Sequence, residues 1–166
     1  LAHLPGLRGG FVLDDLRAIT THPGVNGDGP LSLVFSRTFW GAALGTPPAS
    51  WRPLTTLTFA LDARLFGLSP GPMHVASLGW FLALLTVAHG FARAHLPAPA
   101  ALLAACLFAA MPLHVENVAS LVGRADVLAL LFGLVALRSR PTLAGLGVTA
   151  AATAAALLSK ESALSL

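Results

Sequence analysis

The sequence predicts an all-α membrane protein: a polytopic bundle of transmembrane helices with one large loop held outside the bilayer. Three observations carry this. Hydrophobic residues make up 55% of the 166 positions and charged residues 10%, whereas a soluble domain carries about 25% charged residues. The apolar residues collect in four runs, 73–93, 98–113, 118–137 and 142–158, and a helix crosses hydrocarbon in about 20 residues. The charges gather at the ends of those runs, as expected where an ion in hydrocarbon is expensive. A mean hydropathy of +0.77 agrees with this.

The chain opens on Leu1 without Met and stops at Leu166 just after a charged motif. It reads as a piece of a longer protein, with a first span and any C-terminal domain outside it. Residues 11–72 form the large loop. Phe11-Val12-Leu13-Asp14-Asp15 sets two adjacent carboxylates just past three apolar residues, as in a chain leaving a membrane. The same pair also suits a helix N-cap before 16–20, or a solvated turn. Thr21–Pro30 is a flexible loop by its Gly and Pro content.

Leu31, Val34, Phe35, Phe39 and Trp40 approach the spacing of a helix face, which predicts an amphipathic helix over 31–44. Gly45–Ser50 breaks it. Leu54, Leu57, Leu61 and Leu65 predict a second helix over 54–68, with Asp62 and Arg64 off its apolar line. Both helices are expected in the membrane interface, with Trp40 and Trp51 at headgroup level. Arg52 either snorkels there or binds an anionic headgroup or phosphate.

Val75–Ala92 is long enough to span, with His74 at its entrance and His89 packed on a neighbouring helix. Arg93–Pro97 is a tight basic turn. Ala98–Met111 is short for a span and becomes sufficient with Leu113 added. Cys106, the single cysteine, has no partner for an intrachain disulfide and reads as a small buried hydrophobe. The densest cluster of ionisable groups follows: His114, Glu116, Arg124 and Asp126. Groups this close to hydrocarbon are read as a functional site. The run 118–137 spans only with Arg124 and Asp126 at its mouth, where they are also able to pair with each other. Arg138-Ser139-Arg140-Pro141 is a second basic turn. Leu143–Leu158 is rich in Ala, Gly and Thr, which permit close helix packing in lipid, and it ends in Ser159-Lys160-Glu161 with the only lysine.

Counting crossings puts Asp14-Asp15, His114-Glu116 and Lys160-Glu161 on one side. Arg93, His95, Arg138 and Arg140 fall on the other. All seven acidic residues then share one side, and the short turns opposite carry only basic charge. Positive turns face the cytoplasm, so the acids are expected on the non-cytoplasmic face, which in a bacterium is the periplasmic face of the inner membrane. The basic residues never form a run, and nucleic acid is not an expected partner.

Carboxylates at a membrane surface suit a general base for a hydroxyl acceptor. Arginines and a lysine suit a phosphate leaving group. Together they suggest sugar transfer from a lipid-linked phosphate donor. The chain has no G-x-x-x-x-G-K-[ST], G-x-S-x-G or H-E-x-x-H motif, which argues against ATP-driven, serine-hydrolase and zinc-protease chemistry. His114-x-Glu116 is half a metal site at most, and neither a metal nor a resident cofactor is expected.

Five motifs stand in order: F-V-L-D-D at Phe11–Asp15, W-R-P-L-T-T-L-T-F at Trp51–Phe59, P-L-H-V-E-N-V at Pro112–Val118, G-R-A-D-V-L at Gly123–Leu128, and S-K-E at Ser159–Glu161. In this order they resemble the membrane part of the transmembrane and tetratricopeptide-repeat-containing O-mannosyltransferases and their bacterial relatives, polytopic glycosyltransferases of the GT-C class. The resemblance covers nearly the whole chain. It implies inverting transfer of a sugar, mannose in the characterised relatives, from a polyprenyl-phosphate carrier to Ser or Thr hydroxyls of an acceptor protein. It implies that Asp14 or Asp15 is the catalytic base, with Asp14 favoured and Asp15 supporting. Arg52, His114, Glu116, Arg124, Asp126, Lys160 and Glu161 match the family's other motif positions, with Arg52, Arg124 and Lys160 as candidates for the carrier phosphate. A C-terminal repeat domain is expected beyond this piece, which alone is expected to be inactive. Leu13, Trp51 and Met111 stand where the family often has Trp, Tyr and His. None of these departures removes an ionisable group from the expected site. Two other readings remain: a non-catalytic membrane anchor for a protein-binding repeat domain, and a transporter.

Overall fold

A computed structural model describes residues 9–139 and 142–165 of the chain. Residues 1–8, the Arg140-Pro141 half of the second basic turn, and the side chains of Leu113, Val115 and Glu116 lie outside the described residues. The architecture is all-helical. The extended pairing among the described residues is one isolated bridge, between Arg37 and Ala43.

The loop expected over 11–72 has a core of its own. Ala18, Ile19, Val25, Val34, Phe39, Phe59 and Ala60 are buried together, with Met73 and Leu121 from the helices beyond. A π-helical turn, Leu16–Thr20, supplies Ala18 and Ile19. His22 is buried behind it. Its Nδ1 accepts the Gly24 N–H at 3.1 Å, so its other nitrogen carries the proton and donates to the Thr38 carbonyl at 3.2 Å.

Of the two helices expected in the loop, one forms over most of its length. Over 31–44 only a single turn, α1 (Leu33–Ser36), is helical. Turn chemistry overrides the apolar spacing. Arg37 is extended, the Thr38 hydroxyl accepts the Ala42 N–H at 3.1 Å, and Gly41 sits at φ +79°, in the left-handed region. Trp40 is accordingly packed edge-on against Phe39, centroids 4.9 Å apart, with its indole nitrogen buried. The second helix, α2 (Pro53–Phe66), does form, started by Pro53 at its first turn and stopped by Gly67 at φ +73°. Its leucines at 61 and 65 are 45% and 72% exposed. Its buried face is instead Thr55, Thr56, Phe59 and Asp62.

Helix α3 (Pro70–Arg93) has 24 residues, about 36 Å at 1.5 Å per residue. Among the described residues it is the one helix long and apolar enough to cross a membrane. Helix α4 (Ala98–Ala110) stops short of the expected 98–113. Met111 is extended because it precedes Pro112, whose ring disfavours a helical residue before it. Pro112 then opens α5 (Pro112–Ala119). Cys106 is exposed on α4 rather than buried, on the same outward side as Leu102, Leu103 and Leu107. The expected run 118–137 is likewise divided. Ser120 is extended, Leu121–Gly123 is a 3₁₀ turn, and α6 (Arg124–Arg138) starts afresh. Gly123 makes the break: a Cβ there would lie 2.6 Å from both Cα and O of Asn117. The α7 helix (Leu143–Ser159) is capped by Thr142, which accepts the Gly145 N–H at 3.0 Å. It packs along α6, burying Ala152 and Ala156. Phe81, Leu84, Val118, Val127 and Leu131 form the second core, between α3, α5 and α6.

Candidate functional site

The divided helix, the loop and the end of α7 meet around one cavity of about 300 Å³. Asp14, Arg52, Asp126 and Lys160 line it, with Phe39, Trp40, Asn117, Ser120, Val122 and Gly123 completing the wall. Each ionisable group arrives by a different local device. Arg52 is the residue before α2. Asp126 lies in the first turn of α6. Lys160 is the residue after α7.

Asp14 is exposed, while Asp15 next to it is fully buried. Leu13, at φ +45°, turns the chain there. Asp15 Oδ1 accepts the Val122 N–H at 3.1 Å and Oδ2 accepts the Val12 N–H at 3.3 Å. It thereby ties the start of the loop to the 3₁₀ turn beside the cavity. Burial pushes the Asp15 carboxyl above its ordinary range. The two backbone N–H groups and nearby His74 oppose that shift, and Asp14 reinforces it. The adjacent acids therefore have separate positions, one facing the cavity and one bracing its wall.

Lys160-Glu161 makes two cross-links. Lys160 Nζ donates to Asp126 Oδ1 at 2.5 Å. Glu161 Oε2 accepts from Arg52 Nε at 3.1 Å, and its Oε1 accepts the Ser50 hydroxyl at 2.8 Å and the Trp51 N–H at 3.2 Å. Burial raises the Glu161 carboxyl, but hydrogen bonds and the Arg52 charge outweigh it and leave it below its ordinary range. Arg52 also lies over the Phe39 ring, 4.8 Å from its centroid. Both cations of the cavity are thus held by carboxylates. Asp14 belongs to none of the ion pairs among the described residues.

The remaining sequence candidates lie elsewhere. Arg124 is fully buried and does not line the cavity. It pairs with Asp62, at 2.6 Å, rather than with Asp126. His114 is 7% exposed and packs on Phe108 and Phe81, centroids 4.1 and 5.7 Å away. It lines a neighbouring cavity of about 250 Å³, mostly apolar, which shares Asn117 and Asp126 with the first. The Glu116 side chain lies outside the described residues. Among the described residues no group of three His, Cys, Asp or Glu is placed to hold a metal ion.

Sequence reasoning passed over Asn117, Ser120, Phe39 and Trp40 as wall residues, because none is ionisable. Asn117 had a signal, since it stands inside the P-L-H-V-E-N-V motif. The partnership of Asp62 with Arg124 had none beyond its off-stripe position on α2.

No family model matches the chain, and no solved structure matches it. Curated proteins do. A Caenorhabditis elegans protein O-mannosyl-transferase is 37% identical over 147 residues, covering 82% of this chain and 21% of the relative. Drosophila melanogaster protein O-mannosyl-transferase Tmtc1 is 39% identical over 75% of this chain and 15% of its own length. Human protein O-mannosyl-transferase TMTC1 is 38% identical over 80% and 16%. The chain thus spans about a fifth or less of the length of these relatives. Over that span it belongs to the TMTC protein O-mannosyl-transferase family.

Proposed function

We propose that this chain supplies the base and the donor-phosphate contacts of an inverting glycosyltransferase. In this reading the enzyme moves a sugar, mannose, from a polyprenyl-phosphate carrier to Ser or Thr hydroxyls of a protein, on the non-cytoplasmic face of a membrane that its helices cross several times. The names of the relatives support protein O-mannosylation. The observation that carries the chemistry is that Asp14, outside every ion pair among the described residues, shares one cavity with Arg52 and Lys160.

Asp14 takes the proton of the acceptor hydroxyl as its oxygen attacks the anomeric carbon. The bond between that carbon and the phosphate oxygen breaks, and its electron pair leaves with the phosphate. Arg52 and Lys160 stabilise the charge that develops on the leaving group. Attack opposite the departing phosphate inverts the anomeric centre. Asp126 and Glu161 hold the two cations in place, and Asp15 holds the turn that presents Asp14. Arg124 and His114 stand outside this cavity and act on no reacting atom.

The test uses the full-length protein with a polyprenyl-phosphate mannose donor and a Ser/Thr peptide. Transfer with an inverted anomeric configuration is expected. Arg52→Ala and Lys160→Ala are each expected to raise the donor KM and lower kcat while leaving the acceptor KM unchanged. Retention of configuration, or a donor KM indifferent to both substitutions, contradicts the proposal.

A further inference from the structure

The guanidinium of Arg124 is surrounded by protein on every side. Its Nε donates to the Ser77 hydroxyl at 3.0 Å and its Nη2 to the Met73 carbonyl at 2.8 Å, both on α3. Its Nη1 donates to Asp62 at 2.6 Å and to the Thr58 hydroxyl at 3.2 Å, both on α2. Its flat face lies 4.6 Å from the centroid of Phe59, also on α2. The side chain has no exposed surface. Arg124 is itself the first residue of α6, so one side chain clamps three helices.

Chain neighbours of the clamp line the cavity. Two of its helices carry cavity residues at their starts: Arg52 precedes α2 and Asp126 lies two residues past Arg124 on α6. The 3₁₀ residues just before Arg124, Val122 and Gly123, also line the wall. A shift of α2 against α6 therefore changes the distance between Arg52 and the Asp126–Lys160 pair. A guanidinium suits this task because its fixed fork bonds several acceptors at once, and a charge so buried needs all of them.

Building on the transferase reading above, we propose that Arg124 is a positioning residue: it sets the spacing of the donor-phosphate contacts across the cavity and never touches the donor. The experiment compares Arg124→Met and Asp62→Leu, alone and combined, with Arg124→Lys, all in the full-length protein. Removing one member of a buried ion pair is damaging, whereas replacing both by apolar residues is often tolerated. Each single variant is expected to lower the melting temperature and to cut transfer about tenfold or more, since small misplacements of reacting groups slow chemistry by up to about 100-fold. The double variant is expected to regain the melting temperature, since no charge is left buried alone, but to stay slow, since it too lacks the fork, with the donor KM near the wild-type value. Arg124→Lys keeps the charge and loses the fork, so it is expected to melt near wild type and lose kcat at unchanged donor KM.

A double variant that regains both its melting temperature and the wild-type transfer rate overturns the proposal. So does an Arg124→Lys that raises the donor KM at unchanged kcat. A wild type that transfers no sugar defeats the transferase reading separately. The clamp itself is then judged by melting temperature, where no recovery in the double variant refutes it.

Discussion

Replacing Gly123 by Ala tests the joint between α5 and α6. Gly123 has ordinary helical dihedrals, φ −63° and ψ −16°, so no conformational strain enters the comparison. The whole effect is steric. The added Cβ would lie 2.6 Å from Cα, 2.6 Å from O and 2.9 Å from C of Asn117. All three are backbone atoms, and none has a rotamer with which to move aside. The turn and α5 must separate instead. Overpacking of this kind costs about 1–3 kcal/mol. The separation also carries Asn117 away from Val122 and Gly123 across the same cavity wall. Since a displacement near 1 Å at reacting groups slows chemistry about 100-fold, kcat should fall further than stability alone explains. Gly79→Ala is the control, because nothing lies within 4 Å of its added Cβ. In a helix it should be neutral or stabilise by about 0.5–1 kcal/mol. The assay is thermal unfolding of the full-length protein alongside transfer kinetics for both variants. A Gly123→Ala protein with wild-type melting temperature and wild-type kcat refutes the steric argument.

Glu161→Gln should cost stability only within about 1 kcal/mol, because the side chain is 48% exposed and such pairs are screened by water. It should nevertheless raise the donor KM severalfold, because Arg52 loses its charged partner; an unchanged KM separates Arg52 from donor binding. His22 is held neutral: burial lowers its pKa below the ordinary value, against the bond to Thr38. A lowered folded pKa means that its stabilisation is complete above about pH 6.5 and is lost as pH falls through the folded value. Protection against hydrogen exchange across 22–50, taken relative to the intrinsic rate at each pH, should therefore fall on acidification in wild type, and that pH dependence should shrink in His22→Gln. Protection equally sensitive to pH in both proteins assigns the effect to another group.

The parts of the fold legible in the sequence are those set by composition and proline. The all-helical class follows from long apolar runs, and Pro53, Pro70 and Pro112 each stand in the first turn of a helix. The apolar spacing over 31–44 misled because a short run with helical period also fits a packed loop, and Thr38 and Gly41 supply the turn. The break within 118–137 was hidden because Ser120 and Gly123 each tolerate a helix, and only contact with Asn117 makes the glycine necessary. Motif order pointed to Asp14, Arg52, Asp126 and Lys160, which the fold gathers around one cavity. Motif order was no guide to which charge meets which. Arg124 and Asp126 are two residues apart, yet Arg124 bonds Asp62 and Asp126 bonds Lys160, because two positions along a helix are about 200° apart around its axis and point to opposite sides. Nor did the sequence show that Phe81 on α3 and Phe108 on α4 pack against the His114 ring.

The central claim is that Asp14 is the base of a sugar-transfer pocket and Asp15 is its brace. The most direct measurement is the kcat of full-length Asp14→Asn and Asp15→Asn, at matched expression, with a polyprenyl-phosphate mannose donor, together with the acid limb of the pH–rate profile. Asp14→Asn should lose about 100- to 10,000-fold in kcat, as expected for removal of a general base, with the donor KM little changed. Asp15→Asn should keep measurable transfer. Its pH–rate profile should keep its acid limb, because the base itself is still present. An Asp14→Asn enzyme that transfers at the wild-type rate, or an Asp15→Asn enzyme whose acid limb disappears with its activity, contradicts the account.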